Sequence, residues 1–307
     1  MAERDFIARL LAPLATTPAA RGLADDAAVW MPPLGRTLVF SHDILACGVH
    51  YLPSDPPSDV AWKLLAVNLS DLAGKGARPL GALMGYTLRG DEAWDATFVR
   101  GLARVLDHFG VALLGGDTVR GAERHLSMTL IGETKGRVPS RSGAQAGDVL
   151  YVSGPIGDAG AGLRVRQGTL PENAALADAY LWPEPHLAAG AILAERVSAM
   201  MDVSDGLLID AGRMATASAV RIEIDLDAVP LSPALLAALG EGRETRMDAV
   251  TAGDDYVLLF ATTLPLASLP ALPPVHRVGR VLRGEGLSLV SGGEALALPE
   301  RLGWEHS

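Results

Sequence analysis

Residues 60–77, VAWKLLAVNLSDLAGKGA, carry apolar side chains at helical spacing, and the single carboxylate Asp71 falls inside this otherwise apolar run. Ser58 or Asp59 stands ahead of it as an N-cap, and the glycine-containing stretch 74–76 ends it. Upstream, TLVF (37–40) is β-rich and runs straight into Ser41-His42-Asp43, while residues 3–12 have helical spacing that stops at Pro13. Downstream come a strand ALMGYTL (82–88), a helix from about Glu92 to Phe109 and a strand VALL that reaches Gly115-Gly116-Asp117. The alternating HLSMTLI (125–131) reads as a further strand. This order of strands and helices is close to the split βαβ pattern of a ferredoxin-like sheet backed by helices.

The stretch TKGRVPSRSGAQAGD (134–148) is polar and rich in Gly, Ser and Pro, and the domain boundary is placed there. The expected domains are 1–136 and 148–307, with 137–147 as linker. The second half alternates again: strand DVLYVSG (148–154), helices through Val197, a short strand at Met200–Val203, a helix from Asp205, and strands at Arg221–Leu226 and Tyr256–Phe260. A length of 307 residues agrees with two domains at roughly 150 residues each. The expected fold class is therefore α/β (α+β) in two domains.

Composition narrows the function. The net charge is −10 and lysine occurs only at 63, 75 and 135, so a nucleic-acid backbone is an unfavourable partner. The N-terminus lacks the basic-then-apolar layout of a signal peptide, and no run approaches the ~20 apolar residues of a membrane span. A cytoplasmic protein is expected. Cys47 is the only thiol, which excludes an intramolecular disulfide and a Cys-based zinc site.

No lysine follows the glycine spacing of a P-loop, and no dinucleotide fingerprint, kinase catalytic loop, nucleophile elbow or zinc helix is present. What stands out is the placing of aspartates. Asp43 ends a strand, Asp117 follows VALLGG, Asp202 and Asp205 lie in MDVSDG, Asp254 and Asp255 in AGDDYVLLF, and Asp25-Asp26 precede AAVW. Carboxylates in apolar settings need positive partners, and with three lysines those are Arg or metal ions. Mg²⁺ suits such oxygen donors and usually shares them with substrate phosphates. Glycines beside the carboxylates let backbone approach a phosphate closely. The chemistry indicated is nucleotide-dependent phosphoryl transfer without a lysine cradle.

The segments Asp25-Asp26-Ala27-Ala28, Ser41-His42-Asp43, Gly48-Val49-His50, KLLAVNLSDLAGKGARP (63–79), GGDT (115–118), RSGAQAGDVLYVSG (141–154), MDVSDGL (201–207) and AGDDYVLLF (252–260) occur in one order over most of the chain. In this the sequence resembles the thiamine-monophosphate kinase family. The superfamily around it also holds aminoimidazole-ribonucleotide synthetase, selenophosphate synthetase and a hydrogenase-maturation protein. The resemblance implies a two-domain synthetase-like fold, a homodimer paired through the first domain, ATP as donor and thiamine monophosphate as acceptor. It assigns several Mg²⁺ ions to Asp26, Ser41, His42, Asp43, Asp71, Asp117, Asp202 and Asp205. It assigns ATP contacts to Gly116, Asp117, Arg141 and Ser204, and acceptor contacts to His50, Asp254 and Trp304. No dedicated general base is expected, because a phosphate monoester is already −1.5 to −2 at neutral pH with a second pKa of ~6.

The chain departs from that family pattern at Ala24 (usually Gly), His42 (Thr), Asp254 (Glu) and His186 (Arg). Two alternatives share the framework: an ATP-dependent enzyme resembling aminoimidazole-ribonucleotide synthetase, and an inactive nucleotide-binding homologue. The LSDL run and the AGDDY loop fit the kinase better.

Overall fold

The computed structural model describes residues 3–264 and 273–305. The chain divides into two units. Unit 1 comprises Met1–Leu72 and Ala77–Lys135, and unit 2 comprises Ala73–Gly76 and Gly136–Ser307.

Unit 1 opens with a short helix α1 (Glu3–Phe6) that continues through a wide turn at Ile7–Leu11 and a tight turn holding Pro13. Four strands follow, β1 (Thr37–Ala46), β2 (Arg78–Leu88), β3 (Ala112–Arg120) and β4 (His125–Thr134), with helices α2 (Pro57–Ala73) and α3 (Glu92–Phe109) between them. The sheet order is β1-β4-β2-β3. β4 is antiparallel to both neighbours and β2 runs parallel to β3, the arrangement that a helical crossover between the latter two allows. Helix α2 is apolar nearly all round and is correspondingly enclosed: Leu64, Leu65, Leu69 and Leu72 are fully buried. It begins at Pro57, ahead of the expected caps, because proline's fixed φ suits the first helical position. Helix α3 spans the expected residues. Asp91 accepts from the backbone N–H of Trp94 at its start, and Gly110 closes its end in the left-handed region.

Unit 2 contains β5 (Val149–Val152), α4 (Asp158–Arg166), α5 (Ala174–Leu181), α6 (Leu187–Leu193), β6 (Ala199–Asp202) and α7 (Leu207–Ser218). There follow β7 (Arg221–Asp225), α8 (Pro233–Leu239), α9 (Arg243–Ala252), β8 (Leu258–Thr262), β9 (His276–Leu282), β10 (Gly286–Ser291) and β11 (Glu294–Leu296). Among the described residues, seven strands form one sheet in the order β11-β10-β7-β9-β5-β8-β6. Two elements start later than the sequence suggests. Gly206, at φ 125°, holds α7 back from Asp205 to Leu207. Positive φ at Asp254 and Tyr256 delays β8 to Leu258. Both delays fall in motif loops. Among the described residues, no helix is long and apolar enough to cross a membrane.

Candidate active site

In unit 1 the pleat of β1 sorts the SHD triplet between two faces. Ser41 and Leu45 are buried on the helix side, and Asp43 lies between them with the same period of two. Asp71, on the last turn of α2, meets them there: the Ser41 hydroxyl donates to its Oδ2. Asp43 Oδ2 is buried and has no hydrogen-bond partner among the described residues. Desolvation first, and then the Asp71 charge, pushes the Asp43 carboxyl up to about 6. His42 points the other way, to the open face of the sheet, with Nδ1 2.8 Å from Oγ1 of Thr129 on the adjacent strand. Its imidazole therefore stands apart from the Asp43–Asp71 pair, leaving only its backbone beside them.

Asp26 and Asp117 belong to a different part of the unit. Both line a cavity of about 650 Å³ whose walls include Ile7, Leu83, Gly116 and Thr129, a volume within the ~300–1,000 Å³ of small-molecule sites. Across the sheet, Ile44, Ser127, Gly85 and Asp117 share one row, and Asp43, Met128, Met84 and Gly116 the next. Asp117 thus faces the open side, while Asp43 faces the helices. Three strand spacings, about 14 Å, separate their strands, which are the two edges of the sheet. Gly116 is required sterically, since a Cβ there would lie 1.9 Å from the Met84 carbonyl oxygen. A register shift falls opposite Ala82 and Leu83, just ahead of the Gly-Gly-Asp stretch. Asp26 is exposed, and its N–H donates to Asp25 Oδ1 at 2.8 Å, while Asp25 is itself paired with Arg21.

His50 lies in the tight turn after β1. Its Nδ1 accepts from the Ala46 N–H at 3.0 Å, so the neutral ring carries its proton on Nε2. In unit 2, Arg141 is exposed on the segment before β5, and its carbonyl oxygen accepts from the Ser218 hydroxyl.

The remaining sequence-derived residues of unit 2 converge. Asp202 ends β6, and the loop after it carries Ser204 and Asp205. Asp254 N–H donates to the Ser204 carbonyl at 2.7 Å, Tyr256 N–H to Val203 at 2.8 Å, and Trp304 N–H to Asp205 at 2.8 Å. Gly253, Asp254 and Tyr256 all adopt positive φ, and a Cβ at Gly253 would come within 2.8 Å of the Ser204 carbonyl. Tyr256 also donates its hydroxyl to Asp254 Oδ1 at 2.9 Å. The MDVSDG and AGDDY loops and the Trp304 segment are therefore one hydrogen-bonded cluster.

Sequence reasoning missed Asp210 and Arg213, which brace this cluster. Asp210, fully buried on α7, accepts from the N–H groups of Ser204 and Asp205 at 3.0 and 3.1 Å. Arg213, one turn on, bridges Asp205 and Asp210. Asp255 accepts from the Gly157 N–H through both oxygens, at 2.9 and 3.0 Å, and so ties the AGDDY loop to the start of α4. The available signal was an Asp at the first turn of a helix with Arg three residues later. His186 bonds Ser153 Oγ through Nδ1 at 2.6 Å, and Ser153 Oγ accepts from the Leu258 N–H.

Among the described residues, no three His, Cys, Asp or Glu side chains stand together as a ready cation cage. The donor chemistry fits divalent cations shared with phosphate all the same. Asp43 offers a buried oxygen without a donor beside a second carboxylate, which is a costly arrangement unless a cation approaches.

Known proteins resemble this chain over most of its length. Residues 24–134 match the N-terminal domain of AIR synthase related proteins, and residues 145–290 match the C-terminal domain. The thiamine-monophosphate kinase of Caulobacter vibrioides is 39% identical over 99% of this chain and 90% of its own length. The crystal structure of thiamine-monophosphate kinase from Stenotrophomonas maltophilia K279a superposes with a TM-score of 0.80 at 38% identity, covering 89% of this chain and 90% of that one. AaThiL complexed with AMPPCP and TMP gives a TM-score of 0.80 at 32% identity, with 92% and 91% covered.

Proposed function

The chain belongs to the thiamine-monophosphate kinase family of AIR synthase related proteins, and on that premise we propose that it transfers the γ-phosphoryl group of ATP to thiamine monophosphate, giving ADP and thiamine diphosphate. The observation that carries this reading is the near-full-length likeness to kinases of that name, one of which binds an ATP analogue and TMP together. The geometry supplies the rest of the argument.

The acceptor is an anion approaching another anion, so positioning and charge neutralisation matter more than a base. Asp43 and Asp71, with Ser41 and the His42 carbonyl, would hold Mg²⁺ on the helix side of the unit 1 sheet. Asp26 and Asp117 would hold it at the cavity, and Asp202 and Asp205 in unit 2. Bound Mg²⁺ neutralises phosphate oxygens and orients them for in-line transfer. Gly116 lets its backbone close on a phosphate, with Ser204 and the exposed Arg141 guanidinium as further ATP contacts. His50 presents an Nε2–H donor to the acceptor phosphate. Asp254, fixed by Tyr256, and the half-exposed Trp304 complete the acceptor contacts.

The open sheet face of unit 1 supports a homodimer. Phe40, Ile44 and Val119 are 62%, 52% and 50% exposed on the side of the sheet that also carries His42 and Asp117, and these apolar side chains suit contact with a second copy. ATP dependence favours a cytoplasmic enzyme. The test is purified protein with ATP, Mg²⁺ and thiamine monophosphate, followed by product analysis. ADP with thiamine diphosphate supports the proposal. Turnover with a purine precursor alone would transfer it to the synthetases, and nucleotide binding without turnover would make it a non-catalytic homologue.

A further inference from the structure

Asp205 is held between two fixed points. Its N–H donates to Asp210 Oδ2, and its carbonyl oxygen accepts from Trp304, while Gly303 packs so closely that a Cβ there would lie 2.4 Å from the same oxygen. The backbone is pinned, and the carboxylate is the part left to move. That carboxylate is already engaged: Arg213 Nη1 is 2.5 Å from Asp205 Oδ2 and 2.7 Å from Asp210 Oδ1. The two ends of this bridge differ. Asp210 is fully buried, with its other oxygen committed to two backbone donors, so losing its cation would strand a charge. The Asp205 and Arg213 side chains are 28% and 37% exposed, so solvent and ions reach that end.

We propose that Arg213 is a built-in counter-cation that competes with Mg²⁺ for Asp205. This rests on Asp205 serving as a Mg²⁺ ligand in the reading above. Without a metal the guanidinium closes on Asp205. When a divalent cation takes that carboxylate, Arg213 stays on Asp210 and the backbone need not move. With Arg213 the three side chains sum to −1, and a divalent ion would bring them to +1. Without Arg213 they sum to −2, which favours the ion. Arg213 therefore sets the cation affinity of this end of the site low, so that filling it depends on the extra negative charge of a nucleotide phosphate.

Mn²⁺ binding, followed by the EPR signal of the free ion in the absence of nucleotide, tests this apart from catalysis. Arg213→Gln is expected to tighten one Mn²⁺ site by about fivefold, the size of a partly exposed ion pair. Arg213→Lys, which keeps the charge, should bind as the wild type does, and Asp205→Asn should lose the site in both the wild-type and Arg213→Gln backgrounds. Unchanged or weaker Mn²⁺ binding in Arg213→Gln overturns the proposal, as does a Lys variant that behaves like Gln. Full retention of every Mn²⁺ site in Asp205→Asn overturns it too, by removing Asp205 as a ligand. Failure of the kinase reading is separate: it would appear as absent thiamine diphosphate in wild-type assays, whatever the Mn²⁺ titration shows.

Discussion

At the scale of single residues, the informative contrast is between carboxylates with partners and those without. Asp71 is bonded by Ser41, and an Asn there keeps a carbonyl oxygen to accept that hydrogen bond. Asp71→Asn should thus leave the melting temperature within about 3 °C of wild type, yet lower kcat about 100-fold or more, as losing a charge aimed at developing anions does. Steady-state kinetics and a thermal melt on the same preparation check both halves. His186 gives the pH dependence. Burial lowers its pKa from the ordinary 6.5, and its Nδ1 is hydrogen-bonded to Ser153 Oγ. The folded state then binds this proton less readily than the unfolded chain. Its contribution is fully present above 6.5 and is lost as pH falls through the depressed value. Urea unfolding at pH 7.5 and pH 5 should show that loss in the wild type and a flatter profile in His186→Gln.

At the scale of elements, rigidity comes from α2 and from the irregular start of β3. Leu69 is fully buried two residues before Asp71, so Leu69→Ala is expected to destabilise by about 2–5 kcal/mol through the cavity it leaves. Gly116 is the sharper case, because the obstacle is the backbone carbonyl of Met84 and not a side chain that could turn away. Gly116→Ala should cost about 2–4 kcal/mol in denaturant unfolding and raise the KM for ATP, while Gly115→Ala, whose Cβ would meet only Leu83 Cδ2 at 3.4 Å, should be much milder. Equal effects at the two glycines would contradict the assigned close approach.

At the scale of the whole molecule, the expected assembly is a pair of chains joined through the open face of the unit 1 sheet. A carboxylate in place of Phe40 or Ile44 would be buried without a partner against a second copy. The double variant Phe40→Asp with Ile44→Asp should run as a monomer in light scattering coupled to gel filtration, with its far-UV circular dichroism unchanged. A dimer that persists in this variant would place the contact elsewhere.

Much of this was legible in the residues themselves. Spacing marked α2 and α3, and the alternation of HLSMTLI marked β4, because local periodicity acts within a few residues, whereas the expected caps of α2 fell inside the helix. The Asp-rich motifs beside glycines, with no lysine cradle, pointed to nucleotide-dependent phosphoryl transfer, the activity of the family to which the chain belongs. Which face each carboxylate occupies was beyond that reading. The pleat and the cross-strand register send Asp43 and His42 to opposite sides and put Asp43 and Asp117 on the two edge strands of the sheet, and register is a property of paired strands. The role of Arg213 was hidden for the same reason. Its partners Asp205 and Asp210 are close in sequence, but only the folded loop, with Gly206 at positive φ, turns the Asp205 carboxylate back toward the helix that carries the guanidinium.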